Sequence, residues 1–464
     1  MKIFFLLALM LISSCVFSQT SSWNASVETS CLAGHGNSLP FWLTQNKLGK
    51  LSTRSNIQEL TEGKLTGSVL LNNKLTFSFG TDLAILLAEK DSRFKIIEAF
   101  AGLSGRILTI RAGAFADDEM LGGLSTSNGS IVRSRNYRPY PMIRVSTSGY
   151  IPFLFAKKWL RFKAEYDEGL LRDNRIVRHP HLHHKSVSFL FLTGESFRFS
   201  IGVDHYVFWG GTQADGNKLP GSLKSYLRYI LGKKGSCDFL ETDQINVAGN
   251  QLGAYLITAE KDFDDYSVEL RISHPFEDHS GMELDNLPDN LYSCYIRKKK
   301  TGSLLDGFLF EFLYSKKQSG SYHLISGPGK HKRGNDNYFN HGVYGTGFSY
   351  KGYSMGTPLF YPLAENEQGV ISGFENNRVA AFHAAMKGCL SERLRWKIML
   401  TCSRNYGTFN NPYSSVKKQI YSLAEISWNS KKLPLSFLGH IAADHGTLAD
   451  HRYGCGFSVM WTLY

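Results

Sequence analysis

The sequence predicts an all-β fold: a transmembrane, antiparallel, up-and-down β-barrel of about 16–18 strands, with loops and short helices occluding its lumen. Three observations carry this. The segment 453–464 places Tyr453, Cys455, Phe457, Val459, Trp461 and Leu463 on one face of a period-two pattern, which marks a strand. The same alternation recurs from about residue 66 to residue 464, with no linker and no propeller-type repeat, favouring one continuous sheet over a sandwich or propeller. After residue 20 no apolar run is long enough to form a membrane helix, so a chain of this kind spans a membrane only by closing into a barrel.

At the N-terminus, Met1 to Ile12 is a short basic head followed by an apolar run, the pattern of a signal peptide rather than a bilayer span. Cleavage after Ser18 is expected, making 1–18 the signal peptide and 19–464 a single outer-membrane barrel domain. The rival is Ile12 to Cys15, a lipoprotein-like box in which Cys15 would be acylated. Either route exports the chain.

Composition fits the same fold. Aromatic residues make up 13% of the chain and glycine 44 of 464 positions, suiting interfacial girdles and tight turns. The formal charge of +12 favours anionic partners. Outside the cytoplasm these are capsular or other acidic polysaccharide and lipopolysaccharide, not nucleic acid. Cys31, Cys237, Cys294, Cys389, Cys402 and Cys455 match no zinc spacing and are expected as packed free thiols.

Along the chain, Leu75, Phe77, Phe79 and Leu83 alternate with Lys74, Thr76, Ser78 and Asp82. Phe197, Phe199, Ile201 and Val203 alternate with Arg198, Ser200 and Asp204, and Leu394, Trp396, Ile398 and Leu400 with Arg395, Lys397 and Thr401. Charges on the second face require water or partners, so that face lines a polar lumen. The segment 221–232 breaks the pattern: Leu223, Tyr226, Leu227, Ile230 and Leu231 recur at helical spacing, predicting a short amphipathic helix within a long loop. Long Gly/Asn/Asp-rich segments at 285–290 and 327–337 read as outward-facing loops.

The strings Pro40 to Asn46, Gly123 to Ser130, His181 to Ser186, Trp209 to Thr212, His274 to Gly281 and Asp336 to Tyr344 occur in an order that resembles Wzi-type capsule assembly proteins of the Bacteroidetes kind. The match runs from about residue 40 to Phe360. The resemblance implies an outer-membrane barrel of about eighteen strands, partly occluded by folded-in loops. It further implies a lectin that anchors or organises capsular polysaccharide. Glu165 to Gly169 stands where relatives often carry a His-Gly pair, which puts any role of that His in doubt here.

Sugar recognition combines planar donors and acceptors with aromatic faces. Residues 205–209 and 336–341 supply both. The candidate ligand-binding residues are therefore His205, Trp209, Glu277, Asp278, His279, Asp336, Tyr338, Asn340 and His341, with Trp209 and its neighbouring glycines foremost. The competing reading is that these side chains tie loops into the lumen. His179, His181 and His183 share one strand face, but hydrogen-bonded lumenal histidines are expected there rather than a metal site. Adjacent Glu277 and Asp278 point to opposite faces and would flank a glycosidic bond only with help from Asp336 or Asp285. No catalytic residue, cofactor or metal is expected. A barrel hydrolase acting on polysaccharide or lipid A is the alternative function, a diffusion pore is a third, and a monomer is the expected state.

Overall fold

Eighteen antiparallel strands form a closed ring. In chain order they are β1 (Ser21–His35), β2 (Ile57–Asn72), β3 (Leu75–Ala88), β4 (Arg93–Ser104), β5 (Leu108–Ala114) and β6 (Pro141–Thr147, resuming at Ile151–Pro152). Next come β7 (Leu160–Leu170), β8 (His181–Thr193), β9 (Phe197–Trp209), β10 (Asn250–Asp262), β11 (Tyr266–Phe276) and β12 (Asn290–Lys298). The ring is completed by β13 (Gly307–Tyr314), β14 (Val379–Cys389), β15 (Leu394–Gly407), β16 (Pro412–Asn429), β17 (Leu435–Gly446) and β18 (Arg452–Thr462). The computed structural model describes residues 21–156, 158–245, 247–321, 323–325, 331–334 and 336–463. The expected signal peptide and its cleavage site lie outside the described residues.

The last strand closes the ring. One edge of β18 bonds to β17 and the other to β1, with Ser26 opposite Thr462 and His35 opposite Tyr453. No strand of the ring is left with a bare edge. Connections at the end bearing Ser21 and Thr462 are short, such as 73–74 and 194–196. Those at the opposite end include 36–56, 115–140, 210–249 and 315–378. We call these the terminus end and the loop end.

The alternation sorts side chains as read from the sequence. Ile85, Leu87, Ile143, Ile201, Leu270, Ile398 and Phe457 point outward and are each 41% to 57% exposed. An encircling apolar band of this extent exceeds what a water-facing surface carries and matches the lipid-facing belt of a transmembrane barrel. Among the described residues no helix is long and apolar enough to cross a membrane.

The lumen is filled at the loop end by three connections. Loop 36–56 inserts Leu39, Phe41, Trp42 and Leu43, and loop 115–140 inserts Leu124, Ile131 and Val132. Loop 315–378 adds Tyr338, Phe339, Phe348 and Phe360, and all eleven are at most 3% exposed. The wall anchors this plug. Glu311 of β13 accepts the Ser125 hydroxyl (2.7 Å), the Thr126 N–H (2.8 Å) and the Thr126 hydroxyl (2.8 Å). Asp444 accepts the Phe41 N–H at 2.9 Å. A relay crosses between two loops: Trp42 Nε1 donates to Thr401 Oγ1 (3.2 Å), Thr401 meets His383 Nδ1 (2.8 Å), and His383 Nε2 donates to the Leu124 carbonyl (2.8 Å).

The expected short helices divide between two places. α1 (Phe41–Thr44) is part of the plug, with all four residues buried. α2 (Leu223–Ile230), the helix expected from 221–232, lies against the outside wall of the barrel and not in the lumen. The thiols also differ from expectation. All six described cysteines are free, but Cys31, Cys237, Cys402 and Cys455 are exposed rather than packed, because three of those positions fall on the outward register of their strands.

Candidate functional site

The structure separates the candidate residues into two places. On β9 the inward register is Asp204, Tyr206 and Phe208, all buried, the last two packing against Phe348 of the plug. His205, Val207 and Trp209 therefore face outward. Trp209 Nε1 donates to Glu168 Oε1 at 2.8 Å, and its ring stacks on His181 at 4.4 Å and meets Tyr226 of α2 at 4.9 Å. His205 lies against the Phe276 ring at 6.2 Å. These residues belong to an aromatic girdle on the outer wall. Gly210 and Gly211, with φ of +60° and +93°, turn the chain off the top of β9. That is a steric role for the Trp-Gly-Gly string.

His181 and His183 share the outward face too, so the expectation of lumenal hydrogen-bonding is corrected. Their partner is Glu168 of β7, at 3.8 Å from His181 and 3.2 Å from His183. His184 points inward, bridging Asp167 (2.9 Å) and Asp204 (3.2 Å). Among the described residues no three His, Cys, Asp or Glu side chains form a metal-holding group.

Glu277, Asp336, Tyr338, Asn340 and His341 come together in the plug, where their described bonds hold loops. Glu277 Oε1 accepts the Phe339 N–H at 2.6 Å. Asp336 accepts the Ser319 hydroxyl at 2.6 Å. Tyr338, fully buried, donates to Asp289 (2.9 Å) and accepts from Asn286 (2.7 Å). Asn340 Oδ1 accepts the Phe374 N–H at 2.7 Å, and His341 Nδ1 accepts the N–H groups of Val343 and Tyr344, both at 3.2 Å. Burial, then the Asp336 charge, pushes the Glu277 carboxyl well above its ordinary range. Burial pushes the His341 imidazole down to about 4. Asp278 lies beside this group, and His279 opens the short helix α3 (His279–Met282).

Beneath the plug the lumen is charged. Arg133 and Arg144 both grip Asp117, at 2.6 and 2.8 Å, while Arg133 also reaches Glu165 (2.8 Å) and Arg144 reaches Asp167 (2.7 Å). Burial works to raise the Asp117 pKa, but the two guanidinium charges overcome it and hold the carboxyl well below the usual range. Glu165, in the segment that departs from the family pattern, thus helps to fix loop 115–140. A cavity of ≈ 450 Å³ adjoins this ladder, lined in part by Arg111, Arg198 and Arg271.

A different group faces out at the loop end. The Lys316 ammonium lies 4.4 Å from the centre of the Tyr406 ring, Arg378 lies 4.1 Å from Phe409, and Lys417 lies 4.5 Å from Tyr413. Arg378 Nε donates to the Lys316 carbonyl at 3.1 Å, and the Tyr406 N–H to the Arg378 carbonyl at 3.0 Å, which ties the first two pairs together into a ledge, while the Lys417–Tyr413 pair stands on the neighbouring strand β16. Lys317 and Lys418 are exposed beside it. Glu375 is the acid close enough to act on Tyr413. Among the described residues none of these five cations is in direct ion-pair contact with a carboxylate, although Asp289 is close enough to act on Arg378 and Lys317. Cations seated on half-exposed aromatic faces suit both the charge and the C–H faces of an acidic sugar. Sequence reading missed the ledge because its members come from the two ends of loop 315–378, the turn 408–411 and the adjoining ends of β15 and β16. The available signal was Arg or Lys recurring near Tyr or Phe at strand ends.

The fold and its site define a closed barrel of the outer-membrane type, with a filled lumen and a cationic aromatic ledge at its loop end. The architecture is Wzi-like. Wzi of Escherichia coli, an outer-membrane protein involved in group 1 capsule assembly and a carbohydrate-binding β-barrel, superimposes with a TM-score of 0.59 at 13% identity. The match covers 98% of this chain and 87% of that one. OccK5 (OpdH) of Pseudomonas aeruginosa is similar at a TM-score of 0.50 and 7% identity, over 96% of this chain and 99% of that one. At these identities the likeness is one of fold. No protein-family model matches the sequence, and no curated protein does.

Proposed function

We propose that this chain is an exported, lectin-like barrel of the outer membrane. It binds acidic surface polysaccharide on its loop-end ledge and helps to assemble or retain a capsule. The observation that carries this reading is the ledge, where Lys316, Arg378 and Lys417 sit on aromatic rings with no carboxylate in direct contact among the described residues. Long loops face the cell exterior in barrels of this type, which puts the ledge where a capsule is. The plug supports binding over permeation, since a packed aromatic core obstructs the bore at the loop end. The likeness to Wzi supports a carbohydrate ligand.

The test is binding of purified protein in nanodiscs to an acidic capsular polysaccharide and to a neutral glucan, across a salt series. Replacing Lys316, Arg378 and Lys417 together by Ala should weaken the acidic ligand about tenfold, each exposed charge contributing ~0.5 kcal/mol. Equal affinity for the neutral glucan, or no effect of the triple change, would sink the proposal. A hydrolase reading draws on one observation, the Glu277 carboxyl raised beside Asp336. Polysaccharide turnover that disappears in Glu277→Gln would establish it instead.

A further inference from the structure

We propose that α2, on the outer wall of the barrel, is a docking site for a phosphate-bearing glycolipid of the outer leaflet. This rests on the outer-membrane placement above but not on polysaccharide binding. The helix is fixed to the wall by one face. Ser222 caps its start, accepting the Ser225 N–H at 3.1 Å. Tyr226 donates to Glu168 at 2.9 Å, and Tyr229 is 1% exposed against Val207, Phe239 and Ala248. At the C-terminal end, the Lys185 ammonium of β8 bonds to the Ile230 carbonyl, a cation placed where the helix dipole favours one.

That bond also fixes the height of the helix. Lys185 is four residues along β8 from His181, about 13 Å of strand at ~3.3 Å per residue, which a strand tilt of about 40° makes roughly 10 Å of height below the strand top. A leaflet's hydrocarbon is about 15 Å deep, so α2 lies alongside acyl chains and headgroups rather than above them.

The opposite face is built for that setting. Leu223, Leu227 and Leu231, one turn apart, are 75%, 47% and 58% exposed. They continue the lipid-facing wall, where Tyr166 and Ile201 are each 41% exposed. Lys224, Arg228, Lys233 and Lys234 accompany them, and the stretch 221–235 contains no acid. Exposed Asp238 is near enough to interact with Lys224 and Arg228, but the four cations outnumber it. A leucine stripe flanked by cations binds an interface that offers both acyl chains and negative charge. The outer-leaflet occupant with both is a phosphorylated glycolipid.

The experiment uses the full-length protein in detergent and native mass spectrometry, with bisphosphorylated lipid A, phosphate-free lipid A and inorganic phosphate as probes. The wild type should prefer the bisphosphorylated lipid about tenfold. Lys224→Gln with Arg228→Gln should abolish that preference, and Leu227→Asn with Leu231→Asn should weaken both lipids. All four side chains are exposed or half-exposed, and heat-modifiable gel mobility verifies that each variant still forms the barrel. Equal binding of the two lipids by the wild type would overturn the proposal. So would a preference retained in the charge variant, or displacement of the lipid by inorganic phosphate. Acidic-polysaccharide binding by the same variants should be unchanged, which keeps a failure here distinct from a failure of the ledge.

Discussion

Glu311 and Thr126 are 185 positions apart in the chain, yet one carboxylate oxygen of Glu311 takes both the N–H and the hydroxyl of Thr126, each at 2.8 Å. Its other oxygen serves Ser125 and Ser293 at 2.7 and 2.9 Å. This wall residue is one of the anchors of loop 115–140 inside the barrel, together with His383 and Glu165. Glu311→Ala strips four buried donors of their acceptor, a loss on the order of 3–5 kcal/mol in plug docking. The plug should then open: planar-bilayer recordings should show conductance steps absent from the wild type, and Glu311→Gln, which keeps a carbonyl acceptor, should lie between. A silent Glu311→Ala barrel would mean that the apolar plug core holds without this anchor.

Two parts of the plug should respond to pH in opposite directions. His341 is pushed down to about 4 by burial, so the folded loop prefers the neutral imidazole. The associated stability is complete above the ordinary value near 6.5 and is lost as pH falls toward 4. Asp289 is pushed up to about 6, again by burial, against the N–H groups of Gln318 and Lys317. Its contribution is complete below the ordinary 3.8 and is lost as pH rises through 6. Hydrogen exchange corrected for intrinsic rates reads both. From pH 4 to 6.5, protection should rise at Val343 and Tyr344, whose amides bond His341, and fall at Lys317 and Gln318, whose amides bond Asp289. Asp289→Asn should flatten the second trend and leave the first.

On the ledge, the ring matters as well as the charge. Tyr406→Phe keeps the face that seats Lys316 and should bind acidic polysaccharide within about twofold of the wild type, whereas Tyr406→Leu should lose ~0.5–1 kcal/mol. Raising salt from 0.05 to 0.5 M should erase the contribution of the cations and preserve that of the rings. Isothermal titration of the two variants at both salt concentrations separates these terms.

Much of the wall was legible because strand parity is a local signal. Phe197, Phe199, Ile201 and Val203 mark the lipid face of β9, and the same parity runs on to His205 and Trp209. Their outward orientation was therefore already present in the pattern, although reading those two as ligand contacts named no face. The plug candidates are a different case. Glu277, Asn340 and His341 have the chemistry of a sugar site, but it is spent on Phe339, Phe374, Val343 and Tyr344. Period and composition do not say whether a polar atom will meet a ligand or a nearby amide. For α2 the spacing revealed the helix, while Leu223, Leu227 and Leu231 gave no hint of which side would be covered, since lipid serves an apolar face as well as a protein core does. Lys316, Arg378, Tyr406 and Phe409 meet only because β13, β14 and β15 are neighbours.

Eighteen similar strands make a nearly round object, and α2 gives it a compass bearing. The helix rests on β7 to β9, and the ledge rises from β13 to β16, well past a quarter turn around the ring. A polymer laid across the ledge and a lipid gathered at the helix occupy different sectors, so both berths can be filled at once. Any neighbour in the membrane that approaches the bare wall between them meets the barrel in a defined orientation.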